Sequence, residues 1–300
     1  MATSSEPPAP AAEPRPKRSP ALADRVVLVV GGGRGIGRAL ALGLAEAGAA
    51  VAVADPGVDL EGRDGDPEPA ETVARTIRDA GGRAFAVAQG LPDAAAADAL
   101  VGRVRAELGG LHAVLVTAGV RRVRGILKAS DDDLEASLEA PFRVAFRATQ
   151  AAARTFIELG EGGVVLLAAG PQAFFGAARH ALIGAGEGAV VALARSAAVE
   201  LRRHGIRVNA LVPTARTRAT EALPTFQGIQ PESLGPEHLV PVVVYLLSEA
   251  AREVTGEAIG VAGTRVYGIR SREATGAFAA DGERFGVDEL ARSWSEVSRG

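Results

Sequence analysis

The clearest chemistry in this 300-residue chain lies in the heptapeptide GGGRGIG, residues 31–37, and in an acid further along, Asp55. Gly31, Gly35 and Gly37 let a chain turn tightly between a strand and a helix. They also let backbone N–H groups approach a pyrophosphate at the positive end of that helix. Arg34 and Ile36 stand between them in the same loop. Asp55 closes the next apolar run, at the distance where a carboxylate meets the ribose of a dinucleotide. It would accept hydrogen bonds from both ribose hydroxyls and repel a 2′-phosphate, which favours NAD(H) over NADP(H). The competing reading is that the glycines serve only a tight turn, and a glycine pattern alone does not exclude it.

A regular alternation must position these groups. RVVLVV, AVAVAD, AFAVA, HAVLVTAG, GVVLLAAG and GIRVNALVP read as short buried strands. RALALGLAEAG and EPAETVARTIRDAGG read as helices between them, the second ended by its glycine pair. Continuous apolar strands separated by helices predict an α/β fold, a doubly wound parallel sheet covered on both faces with right-handed crossovers. No boundary falls between residues 24 and about 265, and no repeat is present. Residues 21–300 therefore read as one dinucleotide-binding-type domain with a C-terminal helical extension, GVDELARSWSEVSRG, held by packing of Trp294. Residues 1–20 are rich in proline and alanine and lack the apolar middle of a signal peptide; they read as a disordered tail.

A net charge of -3 and a pI near 5.9 argue against a nucleic-acid partner. The chain has no cysteine, which removes disulfides and thiolate chemistry, and four histidines without cysteine argue against a zinc site. No apolar run reads as long enough to span a membrane. The expected compartment is the cytoplasm.

The glycine spacing, VTAG at 116–119 and RVNALVPTARTR at 207–218 together resemble the short-chain dehydrogenase/reductase family over residues 24 to about 265. Val30 departs from the threonine that opens that family's glycine motif, and VTAG stands where the family has NNAG. The segments VADPGVDLEGRDGD, PTARTRAT and GPEHLVPVVVYLLSEAAREVTGEAIGVAGTRVYGIR resemble more specifically the hydroxyacyl-CoA dehydrogenase part of peroxisomal multifunctional β-oxidation enzymes. The resemblance implies ancestry in 3-hydroxyacyl chemistry. It implies NAD contacts from the glycine loop and from Ala118 and Gly119.

It also implies a site built from tyrosine, lysine, serine and usually asparagine. Here those positions fall on Ile183, Glu187, Gly170 (Ala169 with one gap) and Pro141. Sliding the helices does not restore them. The tyrosines are Tyr245 and Tyr267, the lysines Lys17 and Lys128, the sole asparagine Asn209, and no serine lies between Ser137 and Ser196. Gly90 falls where the family often contacts adenine with an aspartate. Cofactor affinity is therefore expected to be weak.

Glu187 has three readings: a new general base with a pKa raised by burial, a ribose partner, or a solvated acid. His180 lies near the expected pocket mouth, as a catalytic group or a solvated loop histidine. Thr117 reads as structural and Pro141 as a helix kink. The arginines of RRVR, 121–124, read as a solvated rim loop or a contact for a CoA phosphate. The leading expectation is a catalytically degenerate homologue acting as an NAD(H)-binding or scaffolding subunit. It would pair, as a homo- or hetero-oligomer, with a related dehydrogenase. Gly184, Gly186, Gly188 and Ala189 would allow close helix contact between subunits. The alternatives are a lyase, isomerase or cyclase on an acyl-type substrate using Glu187 or His180, and an atypical NAD-dependent oxidoreductase.

Overall fold

The computed structural model describes residues 21–223, 226–279 and 284–298, so the tail at 1–20 lies outside the described residues. Its strands are β1 (Val26–Val30), β2 (Ala50–Ala54), β3 (Ala84–Val87), β4 (Ala113–Val116), β5 (Gly163–Ala168), β6 (Ile206–Thr214), β7 (Ala258–Ala262) and β8 (Arg265–Gly268). They form one sheet in the order β3-β2-β1-β4-β5-β6-β7-β8. All pairs are parallel except the β7–β8 hairpin. The parallel core agrees with the reading from sequence; the antiparallel edge is additional.

The helices are α1 (Gly35–Glu46), α2 (Glu68–Asp79), α3 (Ala94–Leu108), α4 (Asp131–Leu138), α5 (Val144–Leu159), α6 (Ala181–Leu201), α7 (Val240–Leu247) and α8 (Val287–Ser298). Side chains alternate across a strand, so each face of β1 has its own partners. Val26, Leu28 and Val30 join a core with Val104 of α3, Phe156 of α5 and Val190 of α6. Val27 and Val29 join the opposite core with Leu44 of α1, Val73 of α2 and Val243 of α7. Helices on both faces leave β1, β2 and β4 apolar throughout, which is why these strands read as continuous apolar runs.

Local signals set the helix ends. The Asp93 carboxylate accepts a hydrogen bond from Ala96 N–H at 2.8 Å and caps α3, which Gly109 ends with a left-handed φ of 86°. Pro141 lies buried in a wide π-turn, Glu139–Arg143, that joins α4 to α5. Proline has no N–H to donate, and the widened turn absorbs the missing bond. The expected kink is thus a change of helix type.

Three expectations need correction. Of the small residues of α6, Gly184 and Gly186 serve contacts inside the chain. A Cβ on Gly186 would lie 2.2 Å from Ser137 O and 3.1 Å from Pro141 Cγ, and one on Gly184 would lie 2.9 Å from Gln172 O. These glycines let α6 approach α4 and the turn after β5. Residues 181–204 are in fact long and apolar enough, by composition, to cross a membrane. Their packing against β5, β6 and α4 explains that apolarity as core. Trp294 does not anchor α8: the helix has no buried residue, and Trp294 is 57% exposed.

Replacing Gly186 tests the α4–α6 contact. In an exposed helix Gly→Ala would stabilise by about 1 kcal/mol. Here the methyl meets a backbone carbonyl, so Gly186→Ala should lower unfolding free energy in a urea titration. A gain in stability would show that α4 and α6 are not held this close.

Candidate functional site

β1 and β4 are neighbours, yet the chain leaves them towards opposite edges of the sheet. Their carboxyl ends therefore open a crevice, the usual ligand position in such sheets. A cavity of about 380 Å³ lies there. Gly31, Arg34, Gly35, Ile36, Gly37, Asp55, Ala118 and Gly119 all line it, so the loop residues selected from sequence come together in one place.

Two glycines are fixed by close approach. Gly31 has φ 84°, and a Cβ there would stand 2.7 Å from Ala118 N. A Cβ on Gly37 would stand 2.0 Å from Gly31 O. Thr117 Oγ1 donates at 3.1 Å to both Val30 O and Gly31 O, which gives it the structural role expected. The Asp55 carboxylate accepts from Gly33 N–H at 2.8 Å and from Gly57 N–H at 2.7 Å. Each oxygen keeps a further lone pair for a ribose hydroxyl. Arg34 donates to Gly57 O and Val58 O, and Arg218 also donates to Val58 O at 3.1 Å. The loop after β2 is thereby tied to the glycine loop. Gly90 lines the same cavity.

The other end of the cavity is lined by Pro141, Gly170, Ile183 and Glu187, the four positions that the resemblance assigns to catalysis. Ile183 is 4% exposed and apolar. The Glu187 carboxylate sits in the notch left by Gly170: a Cβ on residue 170 would lie 2.7 Å from each of its oxygens and 2.6 Å from Gln172 Oε1. Burial pushes the Glu187 carboxyl from 4.5 up to about 7, against the Arg121 guanidinium and a hydrogen bond from Gly170 N–H. Sequence reasoning missed Ser137 and Gln172 as site residues. It placed Arg121 on a rim, yet Arg121 also lines the cavity.

Arg121 Nε, Ser137 Oγ, Gln172 Oε1 and Glu187 Oε2 are buried without hydrogen-bond partners. Among described residues, Tyr245, Tyr267, Lys128 and Asn209 do not line the cavity. Asn209 is spent inside β6, donating to Val254 O at 2.9 Å and accepting from Glu257 N–H at 3.0 Å.

His180 does not itself line the cavity but stands behind Arg121, which does. Its Nε2 accepts from Arg121 Nη2 at 3.2 Å and its Nδ1 donates to Ala178 O at 2.8 Å. That pattern assigns the ring proton to Nδ1 and leaves neither nitrogen free. Nor is 121–124 a solvated loop. Arg122 pairs with Asp132, and its Nε donates to Glu61 O at 3.0 Å; Arg124 pairs with Glu61 at 3.3 Å.

The Glu187 environment makes a stability prediction. The folded protein holds this proton up to about pH 7, whereas the unfolded chain releases it near 4.5. Its contribution is therefore full below pH 4.5 and is lost as pH rises to 7. Glu187→Gln keeps the shape of the protonated acid. It should match the wild type in thermal unfolding at about pH 4 and exceed it at about pH 8, by about 3 kcal/mol. An equal difference at both pH values would show that Glu187 titrates normally.

Comparison with known proteins agrees with the topology. The short chain dehydrogenase family matches residues 25–226. Hydroxyacyl-CoA dehydrogenase ChsB1 of Mycobacterium tuberculosis is 33% identical over 231 residues, which cover 73% of each chain. Peroxisomal multifunctional enzyme type 2 of Mus musculus is 32% identical over 232 residues, 77% of this chain and 31% of that enzyme. Among solved structures, 7α-hydroxysteroid dehydrogenase complexed with NADH and 7-oxo glycochenodeoxycholic acid superposes with a TM-score of 0.71. It is 26% identical and covers 81% of this chain and 94% of that one. This chain thus belongs to the short chain dehydrogenase family.

Proposed function

We propose that this protein binds NAD(H) and an acyl-type molecule but does not itself transfer hydride, serving as a binding or scaffolding subunit beside an active related dehydrogenase. The observation that carries this reading is the buried Ile183 facing the cavity, with no tyrosine or lysine among the described residues that line it. Reducing a ketone requires a proton for the developing alkoxide, and a positioned acid contributes roughly 10²–10⁴-fold. Isoleucine delivers none. Above about pH 7 the Glu187 carboxylate would oppose the negative charge that the alkoxide develops.

Support for the cofactor comes from the glycine cradle around Gly31 and Gly37, whose missing side chains open the backbone to a pyrophosphate. Asp55 favours an unphosphorylated ribose. Support for an acyl-type ligand comes from the name of the hydroxyacyl-CoA relative. The outer surfaces of α4, α5 and α6 expose Leu134, Phe146, Ile157 and Val199, which suits assembly through those helices.

Calorimetry on purified protein should show NADH binding more tightly than NADPH, and Asp55→Ala should weaken NADH at least about tenfold, a loss near 1.4 kcal/mol. The same preparation should neither oxidise 3-hydroxyacyl-CoA nor reduce 3-ketoacyl-CoA above background. Turnover of about 1 s⁻¹, an ordinary enzyme rate, would overturn the absence of hydride transfer. No binding at millimolar NADH would remove the cofactor.

A further inference from the structure

Four buried polar atoms at the inner end of the cavity have no partner, and the non-redox subunit reading gives them no work. They come from four separate elements: Arg121 from the loop after β4, Ser137 from α4, Gln172 from the turn after β5, and Glu187 from α6. Unpartnered buried polar atoms are rare because each one gives up its bonds to water without a replacement. Here all four line one cavity. Two are donors, Arg121 Nε–H and Ser137 O–H. Two are acceptors, Gln172 Oε1 and Glu187 Oε2. Isoleucine, leucine, valine and phenylalanine side chains at 183, 223, 144 and 226 line the same cavity and would accommodate an apolar chain.

We propose that Glu187 and Arg121, with Ser137 and Gln172, form a proton-transfer site acting on the carbon beside the carbonyl of an acyl-type ligand. This rests on the reading that the cavity admits such a ligand. In the forward step the α C–H bond breaks and its proton goes to Glu187 Oε2. The C–H electron pair forms a carbon–carbon double bond, and the carbonyl π pair moves to oxygen. The enolate oxygen is stabilised by the Arg121 charge and the Ser137 hydroxyl. Glu187 then returns the proton, either to the same carbon or, in a β,γ-unsaturated ligand, to the γ carbon. The second course shifts the double bond into conjugation and consumes no oxidant or reductant.

The geometry fits these roles. The guanidinium of Arg121 is held by its contact with His180, and its backbone N–H donates to Leu60 O at 2.8 Å. The charged or titratable groups facing Glu187 are Arg121 and, through it, His180. A carboxyl that titrates near 7 suits a base at neutral pH.

The test uses a 3-enoyl-CoA thioester incubated with the purified protein in D₂O. Deuterium uptake is followed by mass spectrometry and conjugation by ultraviolet absorbance. Calorimetry with the saturated acyl-CoA of the same length reports binding separately. Wild-type protein should incorporate deuterium, at a rate that rises through about pH 7 and then levels. Glu187→Gln should lower the rate at least about 10²-fold while leaving saturated acyl-CoA affinity within a few-fold, and Arg121→Gln should also lower it. Binding without exchange, or exchange that survives Glu187→Gln, overturns the proton-transfer role and leaves the acyl-binding reading intact. Absence of acyl-CoA binding removes both. Should Glu187→Gln fail to fold, the wild-type profile decides: a rate flat between about pH 6 and 8 overturns the proposal.

Discussion

The inner half of the pocket depends on one steric constraint, the missing side chain at Gly170. Any Cβ there would fall within 2.7 Å of both Glu187 oxygens and of Gln172 Oε1. Gly170 and Glu187 are thus two halves of one arrangement, and neither residue type makes sense without the other. The carboxyl enters the notch, receives one backbone hydrogen bond, and gives up most of its contact with water. Desolvation then outweighs the attraction of Arg121, and the proton is held far above the ordinary carboxylate range. The same notch brings Gln172 close, so two acceptors share a small space unless one carries a proton. That shared need ties the electrostatics of the pocket to a backbone detail.

The frame that holds this notch was largely legible in the sequence. Runs such as VVLVV and AVAVA have no polar position, as expected of a sheet covered on both faces. GGGRGIG and Asp55 marked the crevice because tight turns and close backbone approach demand glycine. Pro141 marked an irregular helix because proline lacks an N–H, although only the structure shows that the irregularity is a π-turn. The β7–β8 edge was missed: GVAGTRVYG places short strands among glycines, where periodicity gives little signal.

The inner site was half legible. Glu187 and Gly170 emerged from aligned positions, but their contact did not, because sequence spacing does not show that a side chain seventeen positions away fills a glycine notch. Arg121 and its neighbours looked alike as a basic run. The structure separates them: Arg122 and Arg124 turn towards Glu61 and α4, while Arg121 lines the cavity. That division follows from the pairing of Arg121 N–H with Leu60 O, a tertiary contact without a local signature. Gln172 and Ser137 had no signal of residue type at all. Trp294 failed for the opposite reason: a large aromatic residue on an amphipathic helix looks like an anchor whether or not a surface exists to receive it.

Ile183 and Glu187 point in different directions as replacements. Isoleucine at 183 is what packing alone would select: buried, apolar and free of unpaired groups. Had the whole pocket drifted towards an inert core, position 187 should show the same character. Instead it carries an acid whose burial opposes stability above its unfolded pKa and whose neighbours include three further unpartnered polar atoms. Such local conflicts, when they persist in an otherwise consistent fold, mark sites where something other than stability is maintained. The cavity end is therefore apolar at Ile183 and polar at Glu187. The proposed absence of hydride transfer would account for the first residue and leave the second unexplained, whereas the proposed carbonyl ligand, placed between the donors of Arg121 and Ser137 and the carboxyl of Glu187, gives the second its work.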